Sequence, residues 1–439
     1  MAGPSRVSIL TFQVGFGDCF LLRFHYAGNK KRHLLIDFGS FPKASWLTGD
    51  GMRKVAEAIR GECGGKLHGV VATHRHADHI SGFSRDGDDP GSVIADCKPD
   101  VVVQPWTEDP DARTDAKKPT AAFMAHFDGD DTRRARAFTR GLDFVESLDA
   151  LRVLVPVIDD EVETLRGMGG VGLALAQQLS FFGENGLGNR SAVENLIEMG
   201  EQGEARYVFH GAESGLGAVL PGVKVTVLGP PTLEQTSTIR KYATNAPDEY
   251  WLTLTRAALQ LKDGSTPLFP KEDGRPFDEA PSYARWLISR LRSLRGRQLM
   301  EIVRSLDRVL NNTSVILLFE VGGRKLLFPG DAQLENWTYA LDQPGVSDLL
   351  KDVDFYKVGH HGSLNATPQT ALWKNFSRRN HGLRAAVSTL LGVHGGDEGR
   401  PTEVPRETLM SALRAQATLV TTQDLEQKPG AFETIDIDV

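Results

Sequence analysis

Thr73-His74-Arg75-His76-Ala77-Asp78-His79 follows directly on the apolar run 69–73 and packs three imidazoles and one carboxylate into six positions. On a loop that leaves a strand end, His74 and His76 alternate and can face one cation together, while Asp78 and His79 can swing toward a second. Imidazole nitrogen and carboxylate oxygen are donors that zinc and related divalent ions take. The plain alternative is a solvated turn that happens to be rich in histidine. With 12 histidines in 439 residues, chance is a poor explanation for three of them around one aspartate.

Two distant segments offer further donors. Leu326-Leu327-Phe328-Pro329-Gly330-Asp331 is an apolar strand that delivers one carboxylate through a Pro-Gly turn. A carboxylate there has two oxygens with which to bridge two metals; read alone, Asp331 is an ordinary turn aspartate. Phe355-Tyr356-Lys357-Val358-Gly359-His360-His361-Gly362-Ser363 is another apolar strand, and it ends in adjacent histidines. The Gly and Ser beside them leave room for close approach to a metal or a phosphate.

The rest of the chain supplies a frame. Segments 7–12, 19–24, 33–37, 69–73, 99–104, 205–210, 223–228, 314–321, 325–328, 355–358 and 385–389 are strand-like and bounded by turn residues. Val14-Gly15-Phe16-Gly17-Asp18 separates the first two, and Gly322-Gly323 marks a hairpin between 314–321 and 325–328. Residues 54–60 have a helical pattern. Strands followed by turns and intervening helices predict an α/β layered domain. Two stretches break this pattern. Residues 106–200 carry helix-like apolar spacing at 120–154 and 161–182, then a capping-box pair, Ser191 and Glu194; residues 233–310 are polar and helix-rich. Both read as helix-rich insertions in one domain spanning 1–439. No internal sequence repeat is visible.

Composition narrows the class. Hydrophobic residues at 40% and charged residues at 24% predict a packed core. The net charge of −7 gives no global attraction to nucleic acid or to an anionic membrane, although local Arg and Lys can still bind phosphate. No run approaches the roughly 20 apolar residues of a membrane helix. The opening MAGPSRVSILTF lacks the pattern of a secretory leader, and Cys19, Cys63 and Cys97 are an odd number without CxxC spacing. A cytoplasmic, non-membrane protein with reduced thiols is expected.

The His-x-His-x-Asp-His run, the strand-Gly-Asp element and the strand-His-His-Gly-Ser element, in that order, resemble the metallo-β-lactamase superfamily. Within it, Val14-Gly15-Phe16-Gly17-Asp18, Leu35-Ile36-Asp37-Phe38-Gly39, Asn312-Thr313-Ser314-Val315 and Lys357–Ser363 are similar to the branch that holds the hydrolase domain of the DNA-uptake competence channel protein and the bacterial phosphorylcholine esterases. About half of the chain fits the pattern; the two inserts do not. The resemblance implies an αββα sandwich with metals at one edge between the sheets. It gives His74 and His76 to a first metal and Asp78, His79 and His360 to a second, with Asp331 bridging. His361, Ser363 and Asn312 are then residues that support the ligands or contact substrate. Many relatives complete the first metal with a further histidine. His210, after a strand, and His126 are the candidates here, while the pattern of the branch puts Asn311 and Asn312 near that corner.

Two divalent ions about 3.5–4 Å apart can share a water, lower its pKa toward about 7 and bind the oxygen that gains charge in the transition state. Asp78 would orient that nucleophile, His361 would hydrogen-bond a substrate oxygen or protonate the leaving group, and Asp18 and Asp37 would fix the surroundings. Zinc is the expected ion, with manganese as the alternative. The resemblance favours phosphoesters, hence a nuclease or nucleotide phosphodiesterase with nucleic acid as one candidate partner. The same metals would serve a lactam, lactone or thioester, and a non-catalytic metal-stabilised interaction or sensor module is the third reading. Basic stretches at 133–136 and 285–297 could guide a nucleic-acid backbone but read equally as solvated helix faces. Gly167-Met168-Gly169-Gly170-Val171-Gly172 fits GxGxxG, yet an acidic helix-like segment precedes it where a dinucleotide site needs a strand.

Overall fold

The computed structural model describes residues 3–111, 118–119, 189–236, 310–363, 365–390, 392–393 and 404–439. Most of both expected insertions, including the helical patterns at 120–154 and 161–182, His126, the GxGxxG segment and both basic stretches, lies outside the described residues.

Strands β1 (Arg6–Phe12), β2 (Cys19–Tyr26), β3 (Lys30–Phe38), β4 (Gly69–Val71), β5 (Val101–Pro105) and β6 (Glu204–Val208) pair in that order. The links β1–β2–β3 are antiparallel and β3–β4–β5–β6 are parallel. A second sheet orders β7 (Val223–Gly229), β8 (Ile316–Val321), β9 (Arg324–Phe328), β10 (Phe355–Lys357), β11 (Arg384–Val387) and β12 (Thr418–Thr421) in the same way. Its first two links are antiparallel and the next three parallel. The two mixed sheets therefore repeat one topology, although no repeat shows in the sequence. The last strand, β13 (Phe432–Asp438), pairs antiparallel with β1 and extends the first sheet to seven strands.

One apolar cluster draws Phe20, Leu22 and Ile36 from the first sheet and Leu317, Phe319 and Phe328 from the second, so the sheets share a core on one face each. The opposite face of the first sheet packs on α1 (Gly51–Glu62), α3 (Pro90–Ala95) and α4 (Arg190–Gln202). That of the second packs on α6 (Leu334–Asp342), α7 (Val346–Leu350) and α8 (Glu407–Gln416). Between these lie the single turns α2 (Ala77–Ile80) and α5 (Leu216–Val219). The parallel strands are buried on both faces, which is why β4 and β5 read as Gly-Val-Val and Val-Val-Val.

Some local expectations differ from the structure. Ser191 does not cap α4: Asn189 is the N-cap residue, and Ser191 Oγ accepts from the Arg85 amide at 3.0 Å. Gly322 and Gly323 do form the β8–β9 hairpin turn, both at positive φ as a two-residue turn of this kind requires. Among the described helices none is long and apolar enough to cross a membrane. All three cysteines are free and buried.

Candidate metal centre

The carboxyl ends of β3, β4, β9 and β10 meet at one edge of the two sheets. Backbone contacts seal the junction: the Val315 amide, just before β8, donates to the Thr73 carbonyl at 2.9 Å, and the Asp18 amide donates to the Asp78 carbonyl at 2.8 Å. Gly17 and Gly39 lie where three segments press together. A Cβ on Gly39 would stand 2.3 Å from the His79 nitrogen, so only glycine fits.

Asp78, His79, Asp331 and His361 form a fully buried group whose donor atoms all lie within 4.8 Å of one another. His79 Nε2 is 3.1 Å from Asp331 Oδ2, and His361 Nε2 is 3.0 Å from Asp78 Oδ2 and 3.4 Å from Asp331 Oδ2. Both imidazoles are oriented from behind. His79 Nδ1 donates to Asp37 Oδ2 at 2.8 Å, and His361 Nδ1 donates to the Ser388 carbonyl at 2.8 Å. A backing acceptor on Nδ1 leaves Nε2 free to ligate a metal. Asp37 is itself fixed by the Thr73 amide and hydroxyl, each at 2.7 Å.

The donor set fits a divalent cation. Two imidazoles and two carboxylates converge in one buried cluster, and Asp78 Oδ1 has no hydrogen-bond partner there. Buried polar atoms are rarely left so. The charges agree. Burial lowers His361, but Asp331, Asp78 and Asp18 outweigh it and push its pKa up to about 10; His79 is raised by Asp331, Asp37, Asp78 and Asp18 against the same burial. Burial raises Asp331 and Asp78, yet the neighbouring imidazoles hold both well below the usual carboxylate range. Raised imidazoles among lowered carboxylates mark a cluster that favours positive charge at its centre.

His74 and His76 stand beside this group. Their rings lie 4.7 Å apart, with His74 Nε2 3.0 Å from His76 Nδ1, and the His74 ring is 4.2 Å from that of His79. Burial drives His74 far below its usual pKa and His76 down to about 4, so both are neutral, as a metal ligand must be. Among the described residues the pair belongs to no complete set of three donors. A second group, Asp18, Asp37 and His79, shares His79 with the first.

The two adjacent histidines stand differently toward the donor group. His360, read as the ligand, is 3.8 Å from Asp331 Oδ2 with its side chain 25% exposed, whereas His361, read as the substrate contact, is fully buried inside the donor group. Both adopt left-handed backbone, φ 47° and 51°, which turns consecutive side chains to different sides of one tight turn. The other candidates scatter. Asp18 lies against Lys357 and near His79 and His361. Asn312 is buried and donates to Glu335 at 3.1 Å. Ser363 Oγ donates to Asn365 at 3.1 Å, outside the donor group. His210 donates from Nδ1 to the Leu228 carbonyl at 2.9 Å, packs edge-on to Tyr339 and joins neither donor group.

Sequence reasoning gave no role to Lys357, Ser388 or Phe16. Phe16 packs on the His361 ring at 4.4 Å. Lys357 had a visible signal, since a lone charge in the apolar run Phe355-Tyr356-Lys357-Val358 must find a buried partner. No family model matches the chain, and no curated protein matches it significantly.

Proposed function

We propose that this protein is a metal-dependent hydrolase of the metallo-β-lactamase superfamily, built as that family's αββα sandwich, and that it acts on a phosphodiester as a nuclease or nucleotide phosphodiesterase. One observation carries the reading: Asp78, His79, Asp331 and His361, from three distant parts of the chain, converge as buried donors with His74 and His76 beside them. When bound, divalent zinc or manganese supplies a water that ionises near neutral pH and a Lewis acid for the oxygen that gains charge.

The chain's own residues do the rest. Asp37 and the Ser388 carbonyl hold the ring orientations of His79 and His361. Asp78 keeps one oxygen, Oδ1, without a protein partner and can accept the proton of a nucleophilic water. His360, partly exposed and with Nδ1 unpartnered, is the group placed to hydrogen-bond a substrate oxygen or the leaving group. The carboxylates of Asp18, Asp37, Asp78 and Asp331 outnumber the ammonium of Lys357, so the site attracts cations, and an anionic substrate would be held through the bound metal.

The purified protein, loaded with zinc or manganese, is assayed on bis-p-nitrophenyl phosphate, single- and double-stranded nucleic acid, phosphorylcholine esters and nitrocefin. Diester cleavage that falls at least about a hundredfold in Asp78→Ala is expected. Cleavage of nitrocefin alone would overturn the phosphodiester assignment, and metal uptake without any hydrolysis would point to a sensor module.

A further inference from the structure

Lys357 is 2% exposed and sits on β10, three residues before His360. Its ammonium contacts the Asp18 carboxylate directly, lies 3.4 Å from Asp331 Oδ1 and donates to the Gly330 carbonyl at 3.1 Å. A buried ammonium is costly unless paired in this way. Its partners divide the two oxygens of Asp331. Oδ1 faces Lys357 and the His360 amide, at 3.2 Å from the latter. Oδ2 faces His79 at 3.1 Å, His361 at 3.4 Å and His360 at 3.8 Å.

We propose that Lys357 is a positioning residue that ties up Oδ1 of Asp331, so that this carboxylate offers a metal only its Oδ2, and that Asp18 holds the ammonium in place for the task. The sequence allows Asp331 to bridge two metals with its two oxygens; here one oxygen serves, and any shared coordination passes through that single atom. The inference rests on the metal-site reading but not on the substrate. It also opposes simple electrostatics: a positive charge beside a cation site repels the cation, so its removal would tighten binding if charge were its whole effect. Positioning predicts the reverse.

The test compares wild type, Lys357→Met and the double variant Asp18→Asn/Lys357→Met, which removes the carboxylate that the single variant strands. Zinc affinity is measured by competition with a chromophoric chelator, and coordination by the visible absorption of the cobalt(II)-loaded proteins. Weakening of zinc binding by about 10–100-fold, the usual size of an outer-shell effect, with an altered cobalt spectrum in every variant that folds, is expected. If Lys357→Met fails to fold, the double variant carries the comparison. Wild-type or tighter zinc affinity with an unchanged cobalt spectrum in either variant would overturn the proposal. Wild-type protein that binds metal but hydrolyses nothing would sink the hydrolase reading and leave this one standing; wild-type protein that binds no metal would sink both.

Discussion

His360 and His361 are chemically identical and adjacent, yet the protein treats them differently. Residue-type reasoning cannot separate them; only the left-handed turn that carries both, and the Ser388 carbonyl waiting behind His361, does so. His361→Ala is therefore expected to weaken zinc binding by more than about a hundredfold, beyond the range of outer-shell changes, while His360→Ala stays within about tenfold. Titration of zinc against a competing chelator reads both. Equal losses in the two variants would return His360 to the ligand set. The protonation pattern belongs to the same scale. His74 and His76 are already neutral, but His79 and His361 must surrender protons to a cation, so metal binding is linked to proton release.

At the scale of elements, the site depends on backbones that touch without side chains between them. A Cβ on Gly39 would lie 2.3 Å from the His79 nitrogen, 2.4 Å from the Asp78 carbonyl carbon and 2.5 Å from the Ala77 oxygen, all backbone atoms of α2 that cannot rotate aside. Gly39→Ala should cost about 3 kcal/mol, the top of the usual range for overpacking, and displace Asp78 and His79 enough to weaken metal uptake. Gly61→Ala, inside α1 with open space around the new Cβ, should be neutral or stabilising by up to about 1 kcal/mol. Urea unfolding of the two variants checks the contrast, and similar stabilities would refute it. The strands that carry the site were legible because buried parallel strands need continuous Val, Ile and Leu, and each ends in a chemically distinctive turn. Elements with weaker signals were not. The C-terminal strand Phe432–Asp438 alternates apolar with acidic residues, a half-buried edge pattern that stood apart from any motif, and Leu334–Asp342, Val346–Leu350 and Glu407–Gln416 are short helices stabilised by packing more than by sequence.

For the whole molecule, the repeated sheet topology explains where chemistry and stability separate. Equivalent strand ends, β3 with β9 and β4 with β10, bring Asp37, Asp331, the 74–79 run and His361 to one rim. The opposite rim of the first sheet, where β3 and β4 begin, holds another histidine pair: the His33 amide donates to His68 Nδ1 at 3.0 Å, and their rings lie 6.1 Å apart. Burial, joined by nearby Arg23 and Arg32, lowers both to about 4, so the folded protein keeps them neutral. An unfolded histidine titrates near 6.5. Below that value the unfolded chain binds protons that the fold refuses, so the stability these two contribute is complete above about pH 6.5 and is lost as pH falls toward 4. In the metal-free protein, His79 and His361 run the other way, because raised folded values favour the fold at low pH. A single acid-denaturation curve therefore mixes opposing slopes. His68→Asn, whose side-chain oxygen can still accept from the His33 amide, isolates the far rim. Between pH 7 and pH 5 the metal-free wild type should lose more unfolding free energy in urea than this variant does. Parallel losses would show that the His33–His68 pair titrates in the folded protein as freely as in the unfolded one, and would refute the assignment of acid sensitivity to this rim.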